Sequence, residues 1–175
     1  MRGFAKAILI SIIVAISFVL FTNFIFFFPW YTTLIVETFH VSQIVASDNY
    51  LKKDLKQELL DKLKDRPIYR KKAEKVEIYA NKTHDNPEYE VKHSAEGEEV
   101  ESYKNAEAGD KPYRQRGESV SVTVSAVYPL SIKLWGKKIE RDIPVSFTLR
   151  TIGLKHYKDL PYCEYLDPIE KCGQP

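Results

Sequence analysis

The sequence has few of the residues from which catalytic and metal sites are commonly built. It holds only two cysteines, which is too few for a disulfide-rich framework or a four-cysteine zinc site. None of its four histidines is spaced from another as the ligands of a metal site usually are. It also lacks a Gly-rich phosphate loop and a nucleophile elbow. We therefore expect that the chain is not an enzyme and that it has no cofactor, no metal and no small-molecule substrate.

The chain has no large excess of charge of either sign. Its 26 Lys and Arg residues nearly balance 24 Asp and Glu residues, which leaves a formal charge of +2. Nucleic-acid-binding proteins normally show a large basic excess on one face. We therefore expect no nucleic-acid partner, and the remaining partners are a membrane and other protein subunits.

A long uncharged segment lies near the N-terminus. No charged residue occurs between Lys6 and Glu37, and residues 7–31 are dominated by Ile, Val, Leu and Phe. About 20 such residues in a helix cross the bilayer core of about 30 Å. The segment is therefore predicted to be a transmembrane helix. The alternative is a cleaved secretory signal, but the apolar run is longer than usual and no small-x-small cleavage site follows it.

The residues that flank this segment predict its orientation. Arg2 and Lys6 precede it, and Trp30 and Tyr31 close it. By the positive-inside rule, the N-terminus is cytoplasmic and the rest of the chain is extracytoplasmic, on the outer face of the cell membrane. Pro29 is expected to kink the helix or to begin a second one after Phe28.

The next segment, residues 32–66, has apolar residues at the spacing of an amphipathic helix or a pair of helices. Ser47, Asp48 and Asn49 are typical caps for a second helix. A stripe of leucines either faces a partner helix or packs against the protein's own sheet, and both interpretations stay open. The stripe consists of Leu51, Leu55, Leu59 and Leu63.

The rest of the chain predicts a small antiparallel sheet of three to four strands, and therefore an α+β fold. Residues 75–80 and 120–126 alternate in the period of half-buried strands, and residues 145–149 do the same after a turn expected at Gly136 and Lys137. Pro129 and Pro144 are expected at an edge, a bulge or a strand end because proline cannot donate a hydrogen bond.

Two segments are expected to lie outside this sheet. Residues 88–117 are polar and almost free of aliphatic side chains, which predicts a mobile insertion with one weak strand near residues 89–91. Cys163 and Cys172 lie in the C-terminal tail, where they either form a short disulfide loop or remain free thiols. Asn81 begins a glycosylation triplet, which matters only in a eukaryotic secretory route.

The N-terminal MRGFAKAILISIIVAISFVLF, together with GESVSVTVSAVYPLSIKL and IPVSFTLRT, resembles the TadE-like minor pilins of tight-adherence systems. The resemblance covers about half of the chain. It implies that a leader peptidase cuts between Gly3 and Phe4, and that the apolar helix lies in the bilayer before assembly and in a helical bundle of subunits afterwards. Pilins have Glu at the fifth position of the mature chain, where this sequence has Ile8.

Two other functions are compatible with the same pattern. One is a bitopic scaffold subunit of a secretion or conjugation channel, and the other is an accessory regulatory subunit of a membrane complex that binds through the leucine stripe. The predicted organisation is a cytoplasmic N-terminus at residues 1–6, a transmembrane helix at 7–31, an amphipathic region at 32–66, a β-rich domain at 67–160 and a tail at 161–175.

Overall fold

The computed structural model describes residues 2–81, 94–134 and 137–160. It begins with one helix, α1, Arg2–Asp48, which is about 70 Å long for 47 residues. The helix continues through Pro29, so the second helix expected after Phe28 does not form. Near this proline, the hydroxyls of Thr32 and Thr33 donate to the carbonyl oxygens four residues earlier, each at 2.9 Å.

The chain turns sharply after α1 and enters a second helix. Asn49 has a left-handed φ of 63°. A two-residue strand β1, Leu51–Lys52, follows, and α2 spans Lys53–Asp65. The prediction that Ser47, Asp48 and Asn49 cap the second helix is wrong, because α2 begins after Lys52 and no side chain caps it.

The sheet has three strands, all antiparallel. They are β2, Glu77–Ala80, β4, Ser119–Leu134, and β5, Lys137–Ile152, in the order β2, β4, β5. A separate short strand, β3, Glu96–Gly97, pairs in parallel with β1. A long helix followed by a small antiparallel sheet confirms the predicted α+β class.

Both strand prolines lie where β4 or β5 has only one partner. Pro144 is on the edge strand β5, and Pro129 lies in β4 beyond Ser125, the last residue that pairs with β2. The predicted edge positions are confirmed. Lys137, which was expected in the turn, is already the first residue of β5, and Gly136 lies outside the described residues.

The core lies between α1 and one face of the sheet. Val120, Val122 and Val124 are fully buried on β4, and the helix buries Leu34 and Val45 in return. The partners of the β4 valines on β5 are half-buried, and the alternate residues of β5 are exposed. The period-two pattern of the sequence therefore identifies the face that packs on the helix.

The part of the predicted polar insertion that the structure describes, residues 94–117, packs closely on the domain. Ala95 and Tyr113 are buried, and Pro112 lies so close to Gly97 that an added Cβ would approach Pro112 Cγ to 2.3 Å. The expectation that this segment buries little surface is wrong, because polar side chains such as Lys111 and Gln115 are buried there along with Tyr113. The weak strand expected near residues 89–91 lies outside the described residues.

Candidate functional site

The N-terminal half of α1 carries a continuous exposed apolar surface. Most of the large side chains from Phe4, which is 76% exposed, to Phe28 are exposed, and Val19 and Phe27 are half-buried. Among the described residues, α1 is the only helix whose length and composition would allow it to cross a membrane. Water is a poor solvent for a surface of this kind, which is typical of a helix that a bilayer or other apolar helices cover.

The few polar side chains of this half are hydrogen-bonded within the helix itself. Ser11 and Thr22 donate from their hydroxyls to the carbonyl oxygens of Ala7 and Phe18, and Asn23 donates from Nδ2 to the carbonyl of Val19, each at 2.9 Å. Because these donors are satisfied locally, they make burial in a bilayer less costly.

A stripe of small residues runs along the same half. A shallow groove on its surface is lined by Ala7, Ser11 and Ala15 together with larger neighbours, and Gly3 extends the four-residue spacing by one step. Small residues at this spacing allow helices in a membrane to approach closely. We name Gly3, Ala7, Ser11 and Ala15 the small-residue stripe. The four-residue spacing of these small residues is visible in the sequence, but a hydropathy profile alone does not detect it.

An aromatic cluster lies where the exposed half of α1 ends. Trp30 is buried, and its ring contacts Tyr69 and Tyr128 edge-on with centroid distances of 5.4 and 5.3 Å. Tyr128 also contacts the ring of Phe27 and donates from Oη to the carbonyl of Asn23 at 3.3 Å. The cluster joins α1, β4 and the segment after α2, so the helix and the domain form one unit.

A buried polar residue, Asn49, lies directly after the C-terminal end of α1. Asn49 is 0% exposed, and its Nδ2 donates to the carbonyl of Arg114 at 2.8 Å and to the carbonyl of Lys155. Its Oδ1 accepts from the backbone N–H of Lys155 at 2.9 Å. Leu154 N–H donates to the carbonyl of Ala46. The segment after β5 is therefore attached to the C-terminal end of α1.

Gln115 holds the next part of that segment. Its Nε2 donates to the carbonyls of Tyr157 and Leu160 at 2.9 and 3.1 Å, and its Oε1 accepts from the N–H of Tyr157 at 3.0 Å. Tyr157 Oη donates in turn to the carbonyl of Asp48 at 2.7 Å. The side-chain amide of Gln115 thus satisfies backbone groups of this segment that have no strand partner.

An ion pair completes this attachment. Lys111, whose side chain is 6% exposed, bonds Asp159 Oδ2 at 2.8 Å, and Tyr113 Oη donates to the same oxygen at 2.6 Å. The hydrogen bond from Lys111, followed by that from Tyr113, holds the pKa of Asp159 below its usual value. Burial raises the pKa of Tyr113. The arrangement attaches the segment after β5 to the rest of the domain.

The structure distinguishes the two interpretations of the leucine stripe. Leu51, Leu59 and Leu63 are buried in the chain's own core, and Leu55 is packed against it. Of the two interpretations that the sequence left open, packing within the chain is the one that this burial supports, because the stripe leaves little surface for a partner helix.

The other predicted sites lie at the two ends of the chain. Gly3 and Phe4 lie in the first turn of α1, where a Cβ added to Gly3 would meet no atom within 4 Å. Cys163 and Cys172 lie outside the described residues. Across 2–81, 94–134 and 137–160, no group of three potential metal-binding side chains comes together.

Comparisons with protein-family models, with curated proteins and with solved structures find no match to this chain.

Proposed function

We propose that this chain is a single-pass membrane protein that serves as a pilin-like minor component of a surface filament or secretion apparatus. Its N-terminus lies in the cytoplasm and its sheet domain on the extracytoplasmic face of the cell membrane. The proposal rests on the different surroundings of the two halves of α1. The exposed half is apolar from Gly3 to Phe28, and the other half packs under the sheet from Trp30 to Val45.

Such a helix suits a subunit that moves from a bilayer into a bundle. A bilayer covers the apolar half before assembly, and the helices of other subunits cover it afterwards. The small-residue stripe supports close helix contact in both settings. Because α1 is one helix from Arg2 to Asp48, the domain follows any movement of the membrane segment.

A bitopic scaffold subunit of a secretion or conjugation channel is the second candidate. It is favoured by Ile8, an exposed apolar residue at the position where the mature helix of a pilin has Glu. A scaffold would keep its full-length chain in the membrane. The accessory regulatory subunit loses its main support, because the leucine stripe through which it would bind is buried.

The intact mass of the protein from two cell fractions tests the proposal. We expect a chain that begins at Phe4 in sheared surface material, and a Gly3→Leu variant should remain full length and absent from that fraction. A full-length chain that occurs only in membranes would refute the pilin-like function and favour the scaffold.

A pair of helix variants tests the contact surface. Ala15→Phe adds bulk to the small-residue stripe, whereas Ile13→Phe adds bulk on the opposite face of α1. We expect Ala15→Phe to abolish incorporation into sheared material or into a high-mass complex, with Ile13→Phe incorporated normally. If the two variants were incorporated equally, the small-residue stripe would not be the contact surface.

A further inference from the structure

The exposed apolar surface of α1 continues past the point where the helix enters the sheet domain. Leu34 is fully buried under the sheet, whereas Val36 and Phe39, on the other face of the helix, are 57% and 54% exposed in the described part of the chain. One turn further along that face, the exposed residue is the polar Gln43. The apolar face therefore extends beside the domain for about 16 Å beyond Phe28 and then ends.

Residues of this face recur at alternating steps of four and three. That spacing belongs to the a and d positions of a coiled coil, through which one helix packs on another along its length. The same steps continue toward the N-terminus as far as Ser11 and Ala7 of the small-residue stripe. One of the six residues is half-buried and the others are exposed. We name them the outer stripe: Phe21, Ile25, Phe28, Thr32, Ile35 and Phe39.

A bilayer does not cover the upper part of the outer stripe. Glu37 lies between Ile35 and Phe39 on α1, and its carboxylate forms an ion pair with Arg66 of the domain. Charged groups are costly in the hydrocarbon core, so this part of the helix stands outside it. The apolar side chains of the outer stripe would face water there unless a protein covers them.

The outer stripe suits a second copy of the same chain. Copies that cross one membrane in the orientation of the proposed function, on which this inference rests, have their α1 helices parallel. In a parallel pair, each a or d residue faces its own counterpart, so the stripe meets an identical stripe that contains no charged residue. Within the described residues, the sheet packs on the other face of α1, which leaves this approach open.

The outer stripe is also large enough for such a contact. Its three phenylalanines are each more than half exposed. Since an aromatic side chain offers about 150–250 Å², the whole stripe provides about 500 Å² per copy and about 1,000 Å² in a pair. That total reaches the area that a specific protein interface needs. Contact along the small-residue stripe adds to it.

We propose that this chain pairs with a second copy of itself, the outer stripes of the two parallel α1 helices packing as a coiled coil on the domain's side of the membrane. The contact continues into the bilayer through Ala7 and Ser11, so the two helices touch along most of their length. The two sheet domains face away from each other. Two copies are then the unit that enters a larger assembly.

Cysteine cross-linking in membranes tests the geometry of the pair. In a full-length Cys163→Ser/Cys172→Ser chain, Thr32→Cys places a thiol at an a position, where two counterparts lie within reach of a disulfide. His40→Cys is the control, because it is exposed on α1 but points about 100° away from Phe39 around the helix. We expect a mild oxidant to cross-link Thr32→Cys into a covalent dimer at least about tenfold faster than His40→Cys.

Two matched charge substitutions test whether the outer stripe holds the copies together. Phe39→Glu places two like charges against each other in the pair, and His40→Glu adds the same charge at the neighbouring exposed position. Analytical ultracentrifugation in detergent should show two copies for the unmodified chain and for His40→Glu. We expect Phe39→Glu to dissociate at least about tenfold more readily. Because Phe39 is more than half exposed, its variant should keep the unfolding free energy of the unmodified chain.

The outcomes separate this inference from the proposed function. A membrane-bound chain that is monomeric in detergent, equal cross-linking of the two cysteine variants, or equal dissociation of the two glutamate variants would overturn the pair alone. Another protein would then cover the outer stripe. A chain that alkali releases from membranes would overturn the membrane crossing, and the proposed function with it.

Discussion

The side chain of Asn49 forms hydrogen bonds to both backbone groups of Lys155, as a neighbouring strand would. Its Oδ1 accepts from the N–H at 2.9 Å, and its Nδ2 donates to the carbonyl. The two residues are 106 positions apart in the sequence. One buried amide therefore ties the end of α1 to the segment that follows the last strand.

Replacement of Asn49 should be strongly destabilising. Asn49→Ala leaves buried backbone groups without hydrogen-bond partners. Alanine also tolerates the left-handed φ of 63° at this position less well than asparagine does. We expect a loss of about 3 kcal/mol in the free energy of unfolding, measured by urea unfolding of the full chain in detergent. Asn49→Gly relieves the backbone and should lose less. The exposed Asn105→Ala is the control, and a loss equal to that of Asn49→Ala would contradict this account.

Gly153 and Gly109 form a matched pair of glycines. A Cβ at Gly153 would lie 2.6 Å from Asn49 Cγ, whereas a Cβ at Gly109 would meet no atom within 4 Å. We expect Gly153→Ala to lower the unfolding free energy by about 1–3 kcal/mol because it forces Asn49 aside. Gly109→Ala should change it by less than about 0.5 kcal/mol. Similar losses for the two variants would mean that the close packing at Asn49 does not exist.

The leucine stripe should behave as core in the isolated protein. Leu63 is 2% exposed, so Leu63→Ala should lower the unfolding free energy by about 2–5 kcal/mol even when no partner is present. The half-buried Leu60→Ala should cost less. A Leu63→Ala protein with unchanged stability that fails only to bind a partner would restore the partner-face interpretation.

The Lys111–Asp159 pair should make the attachment of the segment after β5 sensitive to acid. The folded pKa of Asp159 is lower than its unfolded value, so its contribution to stability is present above about pH 4 and is lost as the pH falls through the folded pKa. Protonation also leaves Lys111 buried without its counter-charge. We expect hydrogen exchange at residues 153–160 to accelerate on acidification.

Two substitutions check the source of that acid response. Asp159→Asn should be less protected than the unmodified chain at neutral pH and should show a smaller change on acidification. Asp110→Asn, an exposed residue with no ion pair among the described residues, should respond as the unmodified chain does. An Asp159→Asn protein with the full acid response would exclude this carboxyl as its cause.

Local patterns in the sequence predicted the long apolar helix and parts of the three strands of the antiparallel sheet. The apolar run predicts the exposed half of α1, and the alternation of Val120, Val122 and Val124 predicts the buried face of β4. Both patterns depend only on which side chains of a short segment are buried and which are exposed. The edge positions of Pro129 and Pro144 followed from the missing N–H of proline, which acts locally as well.

The predictions that were wrong concern features that depend on contacts with residues far away in the sequence. The continuation of α1 through Pro29 is supported by the packing of Trp30 and Leu34 under the sheet, which outweighs one lost hydrogen bond. The leucine spacing predicts an apolar face but not what covers it. Asn49 was assigned as a cap because asparagine suits both caps and left-handed turns, and its real partners, Arg114 and Lys155, are far away in sequence.

The proposed membrane crossing of α1 is the central claim, and thiol labelling in intact cells tests it most directly. In a Cys163→Ser/Cys172→Ser background, Lys6→Cys and Lys104→Cys place one thiol on each side of the proposed crossing. We predict that an impermeant maleimide labels Lys104→Cys in intact cells and Lys6→Cys only after permeabilisation, with the protein resistant to alkaline extraction. Labelling of both thiols in intact cells, or release of the protein by alkali, would contradict the account.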